Sequence, residues 1–170
     1  MNRSKLFLAL TFGALFFVSC SNDDEPTPEV PLGNYDNGVL VLNQGGFGHG
    51  DASVSYISSD FSVQQNDIFS IVNPTILLGD TGQDMGLNDD KAYIVLNVSN
   101  KIQIVNRYTM QNITSITEGL KNPRYIAFAN GKAYVTNWGA GGDPNDDYVA
   151  VIDLNTNTVT SKIPVLEGPD

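Results

Sequence analysis

The chain has 170 residues, of which 41% are hydrophobic and 9% aromatic, so it can bury one modest core and is not disordered along its whole length. Its formal net charge of −10 repels phosphate backbones, which argues against nucleic acid as a partner. With one cysteine it forms no internal disulfide, so packing and backbone pairing must hold the fold.

The first segment, residues 1–19, has the layout of an export signal. Arg3 and Lys5 precede an apolar run, Leu6 to Val18, that is too short to span a bilayer comfortably but fits the roughly 7–15-residue core of a signal peptide. Cys20 follows at the cleavage position, and "FVSC" resembles the relaxed lipobox of Bacteroidota lipoproteins. We predict lipidation at Cys20; the alternative is a signal peptide with an incidental cysteine.

Residues 20–36 follow as an acidic, proline-rich tether. The stretch "SNDDEPTPEVP" is extended and unable to pack. Its acidic cluster, directly after the cysteine, also resembles the surface-export signal of that lipoprotein class. We therefore expect a lipid-anchored outer-membrane protein displayed on the cell surface, with periplasmic retention as the alternative.

Residues 37–170 are the predicted folded part, and they read as short strands in three units, 37–78, 79–119 and 120–168. The first unit offers "NGVLVLNQ", "ASVSYIS" and "VQQNDIFSIV", which we label strands B, C and D, with no strand A before them. The second gives "DMGL", "AYIVLN", "KIQIVN" and "ITSIT" as strands A to D. The third gives "YIAFA", "AYVTNW", "YVAVIDL" and "TVTSKIPV" in the same order.

A repeat connects the second and third units. "KAYIVLN" begins at Lys91 and "KAYVTNW" at Lys132, a spacing of 41 residues. Self-similarity at about 40–45 residues is the period of a four-stranded propeller blade. The sequence therefore predicts an all-β fold, a β-propeller of four-stranded antiparallel blades. Because propellers close with roughly 4–8 blades, about eleven strands predict an open, truncated arc of about three blades, incomplete at the C-terminus.

The repeat also carries a family resemblance. "AYVTNW" followed by "VAVIDLNTNTVTSKIPVLEGP" resembles the YVTN-type propeller repeat, and "VLVLNQGGFGHGDASVSYI", "LGDTGQDM" and "NPRYIAF" are similar to the YncE-like surface lipoproteins of Bacteroidota. The resemblance covers about Asn37 to Asp170. It implies a propeller that binds a small ligand at the cell surface. One branch of the family captures cobalamin for a TonB-dependent transporter, so the resemblance implies a cobamide ligand and hand-over to such a transporter.

Blade topology places the candidate ligand contacts. In an up-and-down blade the B-to-C and D-to-A connections share one face, and in this sequence they are mostly the long, irregular ones, typical of recognition loops. Phe47, His49 and Trp138 sit in or beside glycine-rich B-to-C loops and could contact a ligand, or could pack over the blade edge. Asp84 and Arg124 open successive A strands, so they could ring a central channel or form interblade ion pairs.

The loop "WGAGGDPNDD" adds Asp143, Asn145 and Asp146 as candidate ligand acceptors. Its oxygens could hold calcium, but the spacing of a known calcium loop is missing, and solvated carboxylates are the preferred interpretation; we predict no metal. Asp170 would open the A strand after the third unit.

Catalytic motifs are missing from the sequence. It has no G-x-S-x-G, no H-E-x-x-H and no phosphate loop, so we predict no enzyme and no cofactor. Two function classes stay open: a surface protein that binds a small ligand for a transporter, and an interaction or adhesion propeller without one. A propeller lactonase or dehydrogenase is a third, weaker alternative.

Overall fold

A computed structural model describes residues 30–140, 143 and 145–169. The predicted signal peptide, Cys20 and most of the tether lie outside these residues, as do Gly141, Gly142, Pro144 and Asp170. Within the described part the chain forms three antiparallel sheets and one short helix. No helix in this part is both long and apolar enough to cross a membrane.

The first sheet has three strands in the order β1-β2-β3. They are β1 Gly38–Asn43, β2 Ser53–Ser58 and β3 Gln64–Gln65. The helix α1, Ile68–Val72, follows directly. The prediction of one strand over "VQQNDIFSIV" is therefore wrong beyond its first residues, because the chain leaves the sheet after Gln65.

Burial explains this difference. Ile68 and Phe69 are both fully buried, and Val72 packs against the same cluster. A strand would point the first two side chains to opposite faces, whereas a helix keeps positions i, i+1 and i+4 on one side. Asn73 then ends the helix with its side-chain amide, which donates to the carbonyls of Phe69 and Met110 at 2.9 Å each. Tertiary packing thus overrides the β-propensity of this β-branched stretch.

The second and third sheets each have four strands in sequence order, β4-β5-β6-β7 and β8-β9-β10-β11. Their bounds are β4 Gly82–Asn88, β5 Lys91–Leu96, β6 Lys101–Asn106, β7 Asn112–Ile116, β8 Pro123–Ala129, β9 Lys132–Asn137, β10 Tyr148–Asp153 and β11 Thr158–Pro164. All neighbouring strands are antiparallel. The predicted all-β class and the four-stranded antiparallel blades are confirmed.

The core lies between the sheets. On β5, Ile94 and Leu96 pack toward the first sheet, while Tyr93 and Val95 pack toward the third. All residues of β5 after Lys91 are buried, so the strand reads as a continuous apolar run, as expected for a strand covered on both faces. On β9, by contrast, buried positions alternate with half-exposed ones. The two copies of the repeated strand therefore differ in burial, because β5 is covered on both faces and β9 is not.

Phe128 connects the second and third sheets. It lies on β8 and packs against the ring of Tyr93, with ring centroids 5.1 Å apart. Gly86 on β4 makes room for it, since a Cβ there would lie 2.7 Å from Phe128 Cε2 and 2.8 Å from Ile126 Cγ2. Next to this contact, the amide of Ile126 donates to Asp84 Oδ2 at 2.9 Å. Side-chain packing and a hydrogen bond from a backbone amide to a carboxylate thus join the second and third sheets.

Candidate functional site

The β1–β2, β5–β6 and β9–β10 connections and the connections between sheets meet on one face, which we call the connection face. Backbone hydrogen bonds link these connections to one another: Ala52 N donates to Gly79 O at 3.1 Å, Asn97 N to Thr81 O at 2.9 Å, and Trp138 N to Asn122 O at 3.1 Å. These contacts hold irregular loops on a rigid scaffold, which suits a recognition surface.

The described residues of the loop after β9 contact one another closely. Gly139 has a φ of +55°, and a Cβ there would collide with the carboxylate of Asp146, so the position requires glycine. Asp146 Oδ2 accepts the amide of Ala140 at 2.7 Å, and Asp143 Oδ1 accepts the amide of Asn145 at 3.0 Å. The acidic side chains of the loop therefore also shape it, as Asx-type turns do.

Trp138 is held in place by two contacts. The guanidinium carbon of Arg124 lies 3.7 Å from the centroid of its ring, a cation–π stack. The indole Nε1–H donates to the carbonyl of Pro169 at 3.1 Å. The residue is nevertheless 38% exposed. A preoriented, part-exposed indole offers contact area at low entropic cost.

A cavity of ≈ 240 Å³ opens beside this indole. Its walls come from the start of β8, the loop after β9 and the segment after β11. The lining residues are Asn122, Trp138, Ala140, Asp143, Asp147, Glu167 and Gly168. Three of them are carboxylates, and buried Asp147 accepts the amide of Gly168 at 2.6 Å. The cavity therefore combines an aromatic wall with hydrogen-bond acceptors.

The predicted site residues divide between this cavity and other places. Trp138 and Asp143 line it, Arg124 stacks on Trp138, and Asn145 and Asp146 shape its loop. Their role in ligand binding stays a prediction.

Phe47 and His49 lie on the same face but in the loop between β1 and β2, and neither lines the cavity. Phe47 is 78% exposed, and His49 Nδ1 lies 4.0 Å from Asp51 Oδ2.

Asp84 has a different environment. Its carboxylate accepts hydrogen bonds from the amides of Met85 at 2.8 Å and Ile126 at 2.9 Å. It therefore binds the first strand of the second sheet and the first strand of the third. Asp84 and Arg124 are treated in the sequence analysis as the same position in successive sheets, and the strand registers show that they are not. Met85 pairs with Ile94 as Ile126 pairs with Val135, which makes Tyr125, not Arg124, the counterpart of Asp84. The spacing of 41 residues between Lys91 and Lys132 gives the same counterpart, so the sequence carried this signal.

Five cavity residues escaped the sequence analysis: Asn122, Ala140, Asp147, Glu167 and Gly168. Asp147 belongs to the acidic run already considered, and Asn122 directly precedes the paired residue Pro123. The register set by Ala129 and Lys132 would pair Arg124 with Asn137, but a bulge between Pro123 and Ile126 pairs Pro123 with Asn137 instead, so the sequence did not indicate the Arg124–Trp138 contact.

The electrostatics of this face include one half-buried cation. Lys101 Nζ donates to the carbonyl of Leu77 at 3.2 Å, and burial lowers the pKa of this amine. Among the described residues, no group of three or more His, Cys, Asp or Glu side chains could hold a metal ion.

Comparison with known proteins supports the fold. Residues 37–169 match the model of a family described as "Domain of unknown function (DUF5074)". Hydrazine synthase of Kuenenia stuttgartiensis is similar in structure, with a TM-score of 0.61 and 18% sequence identity, over 79% of this chain and 36% of that chain. Apo AztD from Citrobacter koseri gives a TM-score of 0.48 and 20% identity, over 69% and 33%. No curated protein matches.

Both structural neighbours are propeller-like, and this chain spans about a third of the length of each. At 18% identity the first likeness bears on the fold alone.

Proposed function

Because this chain belongs to the DUF5074 family, which carries no assigned activity, we propose from its site that it is a binding protein whose ligand docks on the connection face. The observation that carries this proposal is the Trp138 cavity, where a preoriented indole meets three carboxylates. The proposal is binding without catalysis. Its support is geometric: a rigid aromatic anchor with acceptors around it is the usual centre of a recognition site.

The size of the cavity limits how a ligand sits. At ≈ 240 Å³ it is smaller than the roughly 300–1,000 Å³ of sites that enclose a small molecule. One group of a larger ligand would therefore enter it, and the rest would lie over the loops of the connection face. Carboxylates accept hydrogen bonds from N–H and O–H groups, so an entering amide fits this lining. A cobamide, whose corrin ring carries amide side chains, meets that description.

The cellular part of the proposal rests on the sequence. We propose a YncE-like lipoprotein, anchored through Cys20 in the outer membrane and displayed at the surface, which passes its ligand to a TonB-dependent transporter. Its support is the agreement of three features: the lipobox-like "FVSC", the acidic tether and the YVTN-like repeat.

Calorimetry with cyanocobalamin tests the ligand and the site together. We expect saturable binding to the full chain, weakened by about 1–3 kcal/mol in Trp138→Ala. Phe61→Ala is the matched control, because it removes an exposed aromatic from the turn between β2 and β3, on the side opposite the connection face. Absence of saturable heat would refute the cobamide, and unchanged affinity in a folded Trp138→Ala protein would refute the site.

A second candidate, protein interaction or adhesion, is favoured by a different observation. Phe47 and Leu77 project from the connection face and are 78% and 82% exposed. Exposed apolar side chains of this kind suit a protein interface. Photo-cross-linking from position 47 in intact cells separates the two: a specific protein adduct that persists in Trp138→Ala would favour interaction without a small ligand.

A further inference from the structure

The side of the molecule opposite the connection face carries the tight turns between strands, and a larger cavity opens there between the second and third sheets. Its volume is ≈ 440 Å³, within the roughly 300–1,000 Å³ range of small-molecule sites. It lies at the β4–β5 and β8–β9 turns, with Leu154 and Asn155 closing one side. None of the residues considered above for the connection face lines it.

The most informative lining residue is Tyr93. It is 1% exposed, and its hydroxyl makes no hydrogen bond with the described residues, yet this oxygen is not among the fully buried polar atoms that lack a partner. The small exposed part of Tyr93 therefore includes its hydroxyl, which reaches the cavity and can donate to a molecule bound there. Desolvation, and then the charges of Asp89 and Asp90, raise the pKa of Tyr93. The group therefore stays protonated and available as a donor at neutral pH.

Charges at the cavity balance. Lys91 and Lys132 line it from equivalent positions at the starts of β5 and β9. Asp89 lines it as well, and Asp90 lies 3.7 Å from Lys91 Nζ. Asp89 and the neighbouring Asp90, which does not itself line the cavity, thus offset the two cations. A charged ligand would gain little from this set, and the net charge of −10 disfavours an anion further.

The remaining lining offers both donors and acceptors. Asn88, Asn130 and Asn155 contribute amides, each of which can donate and accept. Phe128 and Leu154 contribute apolar surface beside them. A ligand matching this wall carries many hydroxyl groups on a compact carbon frame, because each hydroxyl both donates and accepts while the C–H faces pack on apolar side chains.

We propose that this cavity binds a neutral polyhydroxylated molecule of mono- or disaccharide size, with the Tyr93 hydroxyl donating to one of its oxygens. The site is separate from the Trp138 cavity and does not depend on the function proposed for it. Turns with fixed geometry, such as Asn130-Gly131 with φ values of +51° and +72°, hold its rim.

NMR titration of the isotope-labelled full chain tests the proposal. The probes are glucose, galactose, mannose, N-acetylglucosamine, maltose, lactose and cellobiose, with sodium acetate as the anionic comparison. We expect at least one sugar to give saturable amide shifts at Lys91, Gly131 and Lys132 at millimolar concentrations. Tyr93→Phe keeps the ring against Phe128 and should weaken binding roughly three- to tenfold, the worth of one hydrogen bond.

Tyr134→Phe is the matched control, because Tyr134 holds the same place in the repeated strand but does not line the cavity. Its affinity should equal that of the unaltered chain. Lys132→Ala, at an exposed rim position that cannot endanger folding, should also weaken binding. The proposal is overturned if no sugar shifts these amides at tens of millimolar, if only acetate does, or if Tyr93→Phe and Lys132→Ala both bind normally.

Discussion

Gly86 gives the sharpest test of how the sheets pack. It lies opposite Tyr93 in the β4–β5 register, and Phe128 of the third sheet covers it. In Gly86→Ala the new methyl would lie 2.7 Å from Phe128 Cε2, about an ångström closer than a relaxed carbon contact. Overpacking of this kind costs about 1–3 kcal/mol. Alanine also reduces the entropy of the unfolded chain, which returns about 0.4–1 kcal/mol. We expect a net destabilisation of about 1–2 kcal/mol.

Urea denaturation of the two proteins measures this difference. Phe128→Leu, alone and combined with Gly86→Ala, completes a double-mutant cycle that separates the specific clash from general effects of alanine in a strand. Since the smaller leucine leaves space for the methyl, Gly86→Ala should cost less in the Phe128→Leu background. If Gly86→Ala proves as stable as the unaltered chain, or if the two changes are additive, then Phe128 does not depend on the space above Gly86 and the interpretation of this packing is wrong.

Three further predictions concern other parts of the chain. Cys20→Ser should move the protein from the detergent phase to the aqueous phase in a phase-partition assay, since the thiol carries the predicted lipid; unchanged partitioning would mean another anchor. Asp84→Ala leaves the amide of the next sheet without its acceptor and should cost about 1–3 kcal/mol in urea denaturation, whereas Asp84→Asn, which keeps an acceptor, should cost less. Hydrogen bonds from Ser58 and then Ser62 lower the pKa of Asp60 from 3.8 to about 2, so its contribution to stability, present above the unfolded pKa, should disappear as the pH falls through about 2; a carboxyl titration by NMR with a midpoint near 3.8 would contradict this.

The sequence predicted the second and third sheets well, because their strand pattern repeats along the chain. The two copies of the strand at Lys91 and Lys132 became β5 and β9, and the Asn130-Gly131 signal became the two-residue turn before β9. Periodicity of this kind survives because each sheet is built by local hairpins. The prediction failed at Ile68–Val72, where the β-branched composition favours a strand and only contacts with residues far along the chain select a helix.

The site was predictable in part for the same reason. Trp138 and Asp143 stood out because their loop is longer than the turn "NVSN" at the same place in the preceding sheet. Glu167 and Gly168 come from beyond β11 and reach the cavity through tertiary structure, which local pattern does not show. The Tyr93 hydroxyl could not have been chosen from the sequence either, because Tyr134 occupies the same position in an identical "KAY".

Two-sided burial of β5 has a consequence for how its pairing is specified. In β9 the alternation of buried and half-exposed residues penalises a one-residue slip, since every side chain would change faces. In β5 both faces are apolar, so a slipped strand would still bury Ala92, Tyr93, Ile94, Val95 and Leu96. The information that fixes its alignment must then lie at its ends, in the two-residue Asp89-Asp90 turn and in the bulge between Gly82 and Asp84. Substitutions in the exposed Asp89-Asp90 turn would then act as register mutations, with larger effects than the exposure of these two residues would suggest.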